Sequence, residues 1–206
     1  MPTSFTVIDN FFEDPMEVRE AALKLDYPDL GPRAYAGRTS RQPLIIRGIE
    51  EIVSQVVGEP LIAAKGVAHG HCRVALDGDD ERQLFHIHID DNVWWSGILY
   101  LTLPQHCRGG TEFYRHKETA SDHAPLFKDE LAKAGARNFG EAGNPIVVRD
   151  HNDRTKWEHL MTIPMRFNRL VLLRPWLWHA AGKSFGTSIE NGRLVQLFFF
   201  VPPTAF

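Results

Sequence analysis

The stretch Phe85-His86-Ile87-His88-Ile89-Asp90 constrains this chain more than any other. Alternate side chains of an extended segment share a face, so His86, His88 and Asp90 line one side while Phe85, Ile87 and Ile89 line the other. A polar, metal-capable stripe is thus backed by an apolar one. At about 3.3 Å per residue His86 and Asp90 stand about 13 Å apart, too far for two short side chains to share an ion. Two pairs remain, His86 with His88 or His88 with Asp90, and each needs a third ligand from elsewhere. A strand whose histidines only hydrogen-bond their neighbours is the default reading that further residues must outweigh.

The setting for this stripe is strongly β. Segments at Pro60 to Ala68, Cys72 to Leu76, Leu84 to Asp90, Trp94 to Leu103, Thr111 to Tyr114, Arg169 to Leu173, Trp178 to Ala180 and Arg193 to Val201 read as strands, and Gly78-Asp79-Asp80 and Arg108-Gly109-Gly110 read as turns. Ahead of them, Phe5 to Ile8 reads as a short strand. Met16 to Leu25 reads as a helix opened by Asp14-Pro15, and Gly48 to Val57 as a helix with Ile49, Ile52, Val53 and Val56 on its apolar face. Tyr27 to Arg41, rich in Pro, Gly and Arg, reads as a loop. The span from His116 to Phe167 interrupts the β pattern with a helix near Pro125 to Ala134, a Gly-rich stretch and a helical piece near Thr155 to Met161. An excursion of that length suits a lid or outer layer. Helices first and short strands afterwards indicate an α+β chain with a jelly-roll, cupin-like core. A chain of 206 residues fits one domain, with residues 1–70 as N-terminal helical support and 116–167 as an insertion or lid.

Composition removes several classes. With 43% apolar and 24% charged residues the chain is an ordinary globular sequence. A net charge of −3 gives no basic footprint for nucleic acid. Cys72 and Cys107 do not make a disulfide framework, and Met1-Pro2-Thr3-Ser4-Phe5 lacks the basic and apolar regions of a secretory signal. No apolar run approaches the roughly 18 residues of a membrane helix. Reduced thiols in a cytoplasmic protein are the expectation.

The third ligand candidate is His179, in Trp176-Leu177-Trp178-His179-Ala180, where a jelly roll can return the chain beside the earlier strand. Two imidazoles and one carboxylate on one face of an octahedral ion leave the opposite face open, which suits non-haem Fe(II). Asp91 cannot replace Asp90 without a register change. Arg193 heads the otherwise apolar run Leu194 to Phe200, where a guanidinium needs an anion, and its planar fork fits a carboxylate.

His88-Ile89-Asp90, the distal His179 and the following Arg193 resemble the signature of iron(II)/2-oxoglutarate-dependent dioxygenases, specifically the prolyl-4-hydroxylase-like branch. Ile98-Leu99-Tyr100-Leu101-Thr102 is similar to the strand whose tyrosine helps hold 2-oxoglutarate, Gly109-Gly110-Thr111-Glu112-Phe113 to that branch's Gly-Gly-Glu-type turn, and Val7-Ile8-Asp9-Asn10-Phe11-Phe12 to its lead-in. The resemblance implies a double-stranded β-helix in which His88, Asp90 and His179 hold Fe(II). Arg193, helped by Tyr100, would bind the distal carboxylate of the co-substrate 2-oxoglutarate. With O2, the implied reaction releases succinate and CO2 and hydroxylates a C–H of a small-molecule or peptide substrate. The retained Asp90 speaks against halogenation, since halogenases of the superfamily carry a small residue there. Two departures stand out: the strand before the stripe carries Arg73 where the branch usually has a tyrosine near the 1-carboxylate, and the gap from His179 to Arg193 is longer than usual.

Two rival functions have their own marks. A cupin of other chemistry would use His86, His88 and His179, and a non-catalytic jelly-roll binding or sensor domain would keep only the fold. Trp94, Trp95, Trp176 and Trp178 read as packing, and His69 and His71 as non-ligands. His86 reads as a structural histidine as readily as a group behind the ligands. His116, Lys117, Arg149, Asp150, His151 and Arg154 read as a solvated surface.

Overall fold

A computed structural model describes residues 4–29, 35–82 and 86–203. In chain order its strands are β1 (Phe5–Ile8), β2 (Arg38–Pro43), β3 (Ile62–Ala63), β4 (His71–Ala75), β5 (Trp95–Tyr100), β6 (Gly110–His116), β7 (Trp157–Pro164), β8 (Leu170–Leu173), β9 (His179–Ala180) and β10 (Arg193–Val201). The helices are α1 (Pro15–Leu23), α2 (Ile49–Val57), α3 (Lys128–Ala134) and α4 (Phe139–Asp150). None is long and apolar enough to cross a membrane.

The strands form two antiparallel sheets. The larger runs β1-β8-β5-β10-β4-β2, with β3 also paired to β10, and the smaller runs β7-β6-β9. Period-two alternation sorts the side chains of the large sheet between two cores. Leu194, Phe198 and Phe200 of β10 and Trp95 and Leu99 of β5 pack with Ala22 of α1 and Ile49 and Val53 of α2. Val195 of β10, Tyr100 of β5 and Val171 and Leu173 of β8 face the small sheet, where Phe113 of β6 and Ile163 of β7 close a second core. Each fully buried side chain of this size stabilises the fold by about 1.5–3 kcal/mol, so both sheet faces are strongly specified. Asp14 caps α1, its carboxylate accepting from the Glu17 N–H at 3.2 Å, and Pro15 takes the first turn, where its missing N–H costs nothing.

Several elements differ from the sequence reading. Residues 38–41, expected as loop, open the strand β2, which pairs with β4 across an irregularity between Thr39 and Pro43. The helical piece expected near Thr155 to Met161 is instead the strand β7, paired along β6. The long contribution of that partner overrides local preference. The Gly-rich stretch before it is the helix α4, started by Asn138, whose side chain accepts from the Glu141 N–H at 2.9 Å. Its Gly143 serves packing: a Cβ there would lie 2.6 Å from Ile89 Cδ1 and 2.8 Å from Ala124 Cβ. α4 therefore presses on the segment that carries His88 and Asp90, and Val147 joins Ile87, Ile89, Trp157 and Trp178 in a third apolar cluster. Of the expected strand from Leu84 to Asp90, Leu84 and Phe85 lie outside the described residues, and residues 86–90 hold only an isolated bridge from His88 to His179. The strand expected from Pro60 to Ala68 shrinks to β3, and in α2 Ile52 and Val56 are each 40% exposed while Ile49 and Val53 are buried.

Candidate metal centre

The bridge between His88 and His179 is built by two reciprocal backbone hydrogen bonds, His88 N–H to the His179 carbonyl at 2.9 Å and His179 N–H to the His88 carbonyl at 3.0 Å. Residues so paired project side chains to the same face, and the two imidazole centroids are 4.4 Å apart. Asp90, two residues on, is anchored through its N–H to the Pro175 carbonyl at 3.0 Å. Its Oδ2 lies 3.4 Å from His179 Nε2 and its Oδ1 3.9 Å from His88 Nε2. Ligand atoms of all three residues fall within 4.8 Å of one another. His179 is buried, and His88 and Asp90 keep a narrow opening.

Backbone carbonyls set the imidazole tautomers. His88 Nδ1 sits 3.0 Å from the His86 carbonyl and His179 Nδ1 2.8 Å from the Leu177 carbonyl. A carbonyl only accepts, so each Nδ1 carries the proton and each Nε2 presents a lone pair to the common centre. The Ser96 hydroxyl donates to Asp90 Oδ2 at 2.7 Å, holding the carboxylate in place. Burial, then the neighbouring His179, push His88 down to about 4, which keeps it neutral near pH 7. Burial alone would raise Asp90, but His179, His88 and the Ser96 hydroxyl outweigh it and hold the carboxyl below its usual range. Burial likewise opposes protonation of His179, and the Asp90 carboxylate overcomes it and raises the imidazole. Two neutral-capable imidazoles and an ionised carboxylate form a donor set for a divalent transition metal with open positions.

The three groups open into a cavity of about 280 Å³ that Arg193 also lines. Arg193 is 5% exposed, and its Nε is a buried donor with no hydrogen-bond partner. Its Cζ lies 5.9 Å from the Tyr100 ring centroid. Burial lowers the guanidinium, opposed by the fields of Tyr100 and Glu112. The Tyr100 hydroxyl is engaged with Thr111 Oγ1 at 2.7 Å. The other wall holds Tyr35, its ring centroid 4.5 Å from that of His88, with the Arg73 guanidinium 5.4 Å from the Tyr35 ring.

His86 is not part of this group. It lines a separate polar cleft with Asp80, Glu112, His151, Arg154 and Lys183. Burial and the charge of Arg154 lower it. His69 and His71 lean on the carbonyls of Phe199 and Ser40 at 2.6 and 2.8 Å, as expected of structural histidines. His116 and Asp150, expected on a solvated surface, are buried as a pair 3.0 Å apart, with the Arg149 guanidinium on the same carboxylate at 2.7 Å. Arg149 also reaches Glu118 at 2.9 Å, so a cation already fills this second acidic cluster. Sequence reasoning missed Ser96 and Tyr35. Ser96 was discoverable in principle from its inward register beside Ile98 and Tyr100, whereas nothing local marks Tyr35.

Two antiparallel sheets thus carry a cluster of two histidines and one carboxylate that opens into a cavity. The chain belongs to DUF6445, a family of unknown function, whose model matches residues 2–200. No curated protein matches it. Among solved structures it is similar to HygX from Streptomyces hygroscopicus with nickel and 2-oxoglutarate bound, at 17% identity and TM-score 0.53, over 98% of this chain and 84% of that one. It is also similar to SnoK, a non-haem α-ketoglutarate-dependent carbocyclase from nogalamycin biosynthesis, at 13% identity and TM-score 0.52, over 98% and 87%. SnoN, the corresponding epimerase, matches at 15% identity and TM-score 0.52, over 97% and 76%. At these identities the likeness is one of fold.

Proposed function

We propose that this protein is a non-haem Fe(II)/2-oxoglutarate-dependent oxygenase on a double-stranded β-helix core, of the prolyl-4-hydroxylase-like kind, acting on a small molecule or peptide. The observation that carries the reading is the buried Arg193, whose Nε lacks a partner and whose side chain lines the same cavity as His88, Asp90 and His179. A metal triad alone fits many chemistries. A triad facing a guanidinium that needs a carboxylate fits a co-substrate with a metal-binding end and an anionic end.

In this reading His88, Asp90 and His179 hold Fe(II), which with 2-oxoglutarate and O2 supplies an oxidative decarboxylation coupled to hydroxylation of a substrate C–H. The Nδ1 contacts to the His86 and Leu177 carbonyls hold the two imidazoles as neutral ligands, and Ser96 fixes the Asp90 carboxylate. Arg193 receives the distal carboxylate, with Tyr100 beside it, and the apolar side chains of Val195, Leu197 and Ile98 keep water from the space between. Within the 116–167 segment, α4 packs against Ile89 and so covers the outer side of the segment that carries His88 and Asp90.

The test is succinate release from 2-oxoglutarate under air with Fe(II), across a panel of amino acids, peptides and small metabolites. Asp90→Ala and Arg193→Gln should each reduce turnover by at least about 100-fold, the first by loss of metal and the second by loss of co-substrate affinity. Turnover that survives Arg193→Gln unchanged would remove 2-oxoglutarate from the proposal.

A further inference from the structure

Arg193 shares its cavity with a second buried polar group that the fold leaves unanswered. Ser184 is 1% exposed, and its Oγ has no hydrogen-bond partner among the described residues. Both side chains line the cavity into which His88, Asp90 and His179 open. A hydroxyl is among the easiest polar groups to satisfy, because it rotates and can both donate and accept. Left unpaired in a protein interior it is a net loss of stability, and two such donors in one cavity point to a ligand that takes both.

The backbone that carries Ser184 is braced. It belongs to residues 181–192, the long connection from His179 to Arg193, and it is held on both sides of the serine. Ahead of it Gly182, at φ +73°, approaches β6 so closely that a Cβ would stand 2.8 Å from the Gly110 carbonyl oxygen. After it Phe185 is buried in the second core, and the Gly186 carbonyl accepts from the Asp77 N–H at 2.9 Å. Asn191 Oδ1 then accepts from the N–H groups of Thr187 and Ser188 at 2.8 and 2.9 Å. The hydroxyl is thus fixed in place beside the cavity.

The register of β10 sets Arg193 at the end of the cavity away from the candidate ligands. Phe199 pairs with Ser96, whose hydroxyl holds Asp90, whereas Arg193 lies at the start of the same strand, before Val195 and Leu197. Those two side chains line the cavity in between. A molecule answering both ends has a metal-binding head, an aliphatic middle and an anionic tail. A carboxylate tail offers two oxygens, one for the Arg193 Nε–H and one for a hydroxyl. The Tyr100 hydroxyl is engaged with Thr111 Oγ1 at 2.7 Å, which leaves Ser184 as the unpaired one. We infer that Ser184 is a binding residue for the distal carboxylate of the co-substrate, donating its proton to the oxygen that Arg193 Nε does not take. The identity of the co-substrate rests on the oxygenase reading, and the sharing of one carboxylate by Ser184 and Arg193 does not.

The experiment is calorimetry without oxygen, with 2-oxoglutarate on Fe(II)-loaded protein and with glutarate, which lacks the oxo group, on metal-free protein. Ser184→Ala should weaken both acids at least about 10-fold, which is about 1.4 kcal/mol. Ser184→Cys, close in size but a weak donor, should lose nearly as much. Fe(II) affinity should change less than about 2-fold in either variant. In urea, ligand-free Ser184→Ala should unfold at an unchanged or higher midpoint, because the substitution deletes a group that the ligand-free fold leaves unpaired. A purely structural hydroxyl gives the reverse pattern, a lower midpoint with both affinities intact, and that result overturns the inference. Native affinity for both acids in Ser184→Ala overturns it whatever the midpoint, and so does a loss of Fe(II) binding that accompanies the loss of the acids. If 2-oxoglutarate does not bind the native protein while glutarate binds and is lost in Ser184→Ala, the oxygenase reading fails and the role of Ser184 stands. If neither acid binds the native protein, both fall.

Discussion

His88 and Arg193 are two residues whose environments oppose their ordinary chemistry. His88 is pushed down to about 4 by burial and by His179, so its folded-state value lies below the unfolded value. A group of that kind contributes stability that is present above its unfolded value near 6.5 and is lost as pH falls toward 4. In metal-free protein, unfolding free energy should fall over that window by up to about 1.4 kcal/mol per pH unit, and a His88→Asn variant should show a flatter profile in urea titrations between pH 7 and 4. Asp90 titrates lower still, so its share is lost only below that window. Arg193 carries the opposite tension, because an unsatisfied buried donor costs stability that a ligand alone repays. Arg193→Met should stabilise the ligand-free protein by about 1–3 kcal/mol while abolishing 2-oxoglutarate binding, read by chemical denaturation and calorimetry on the same sample. An unchanged affinity for 2-oxoglutarate in that variant would dissociate the guanidinium from the site.

At the level of elements, the proposed ligands His88 and Asp90 sit on a short bridged segment pinned between β9 and α4. Ile89, between His88 and Asp90, is held on its outer side by Gly143 and Ala124. Gly143→Val should drive Ile89 inward and lower Fe(II) affinity at least about 10-fold, with a stability loss of about 1–3 kcal/mol. Spectroscopic titration with Co(II), alongside circular dichroism, checks both. Gly110 is the corresponding point of β6: a Cβ there would lie 1.9 Å from the Ile163 carbonyl oxygen, against backbone that cannot yield. Gly110→Ala should therefore unzip the start of the β6–β7 pair and destabilise the protein by more than Gly143→Ala does, the latter meeting side-chain atoms at 2.6 Å and beyond and no backbone atom as near as 1.9 Å. Near-equal melting temperatures for the two alanine variants would count against this packing.

Across the whole molecule, the candidate site joins both sheets: β5 and β10 of the large sheet supply Ser96 and Arg193, and β9 with residues 86–90 supplies the proposed ligands. A metal and a co-substrate bound there should cross-brace the two sheets. At ligand concentrations near 100 times the dissociation constant the gain is about 2.7 kcal/mol, or very roughly 5–10 °C in melting temperature for a chain of this size. Thermal scans with Ni(II) and 2-oxoglutarate, reversed by a chelator, should show it. What was readable without coordinates is local or periodic. The strand from Arg193 to Val201 and the buried positions Ile49 and Val53 of α2 each follow from residue preference or helical spacing, which the chain carries in its own residues. Tertiary pairing decided the rest. Residues 157–164 have no strong preference of their own and became strand because β6 lies beside them, while Gly143 marks a close approach rather than a loop. The choice between His86 and Asp90 as partner of His88 was equally beyond a one-dimensional reading. In space the backbone bonds to His179 and Pro175 bring Asp90 beside both imidazoles and leave His86 in another cleft, because the convergence of such groups depends on strand pairing between distant segments and not on the spacing within either.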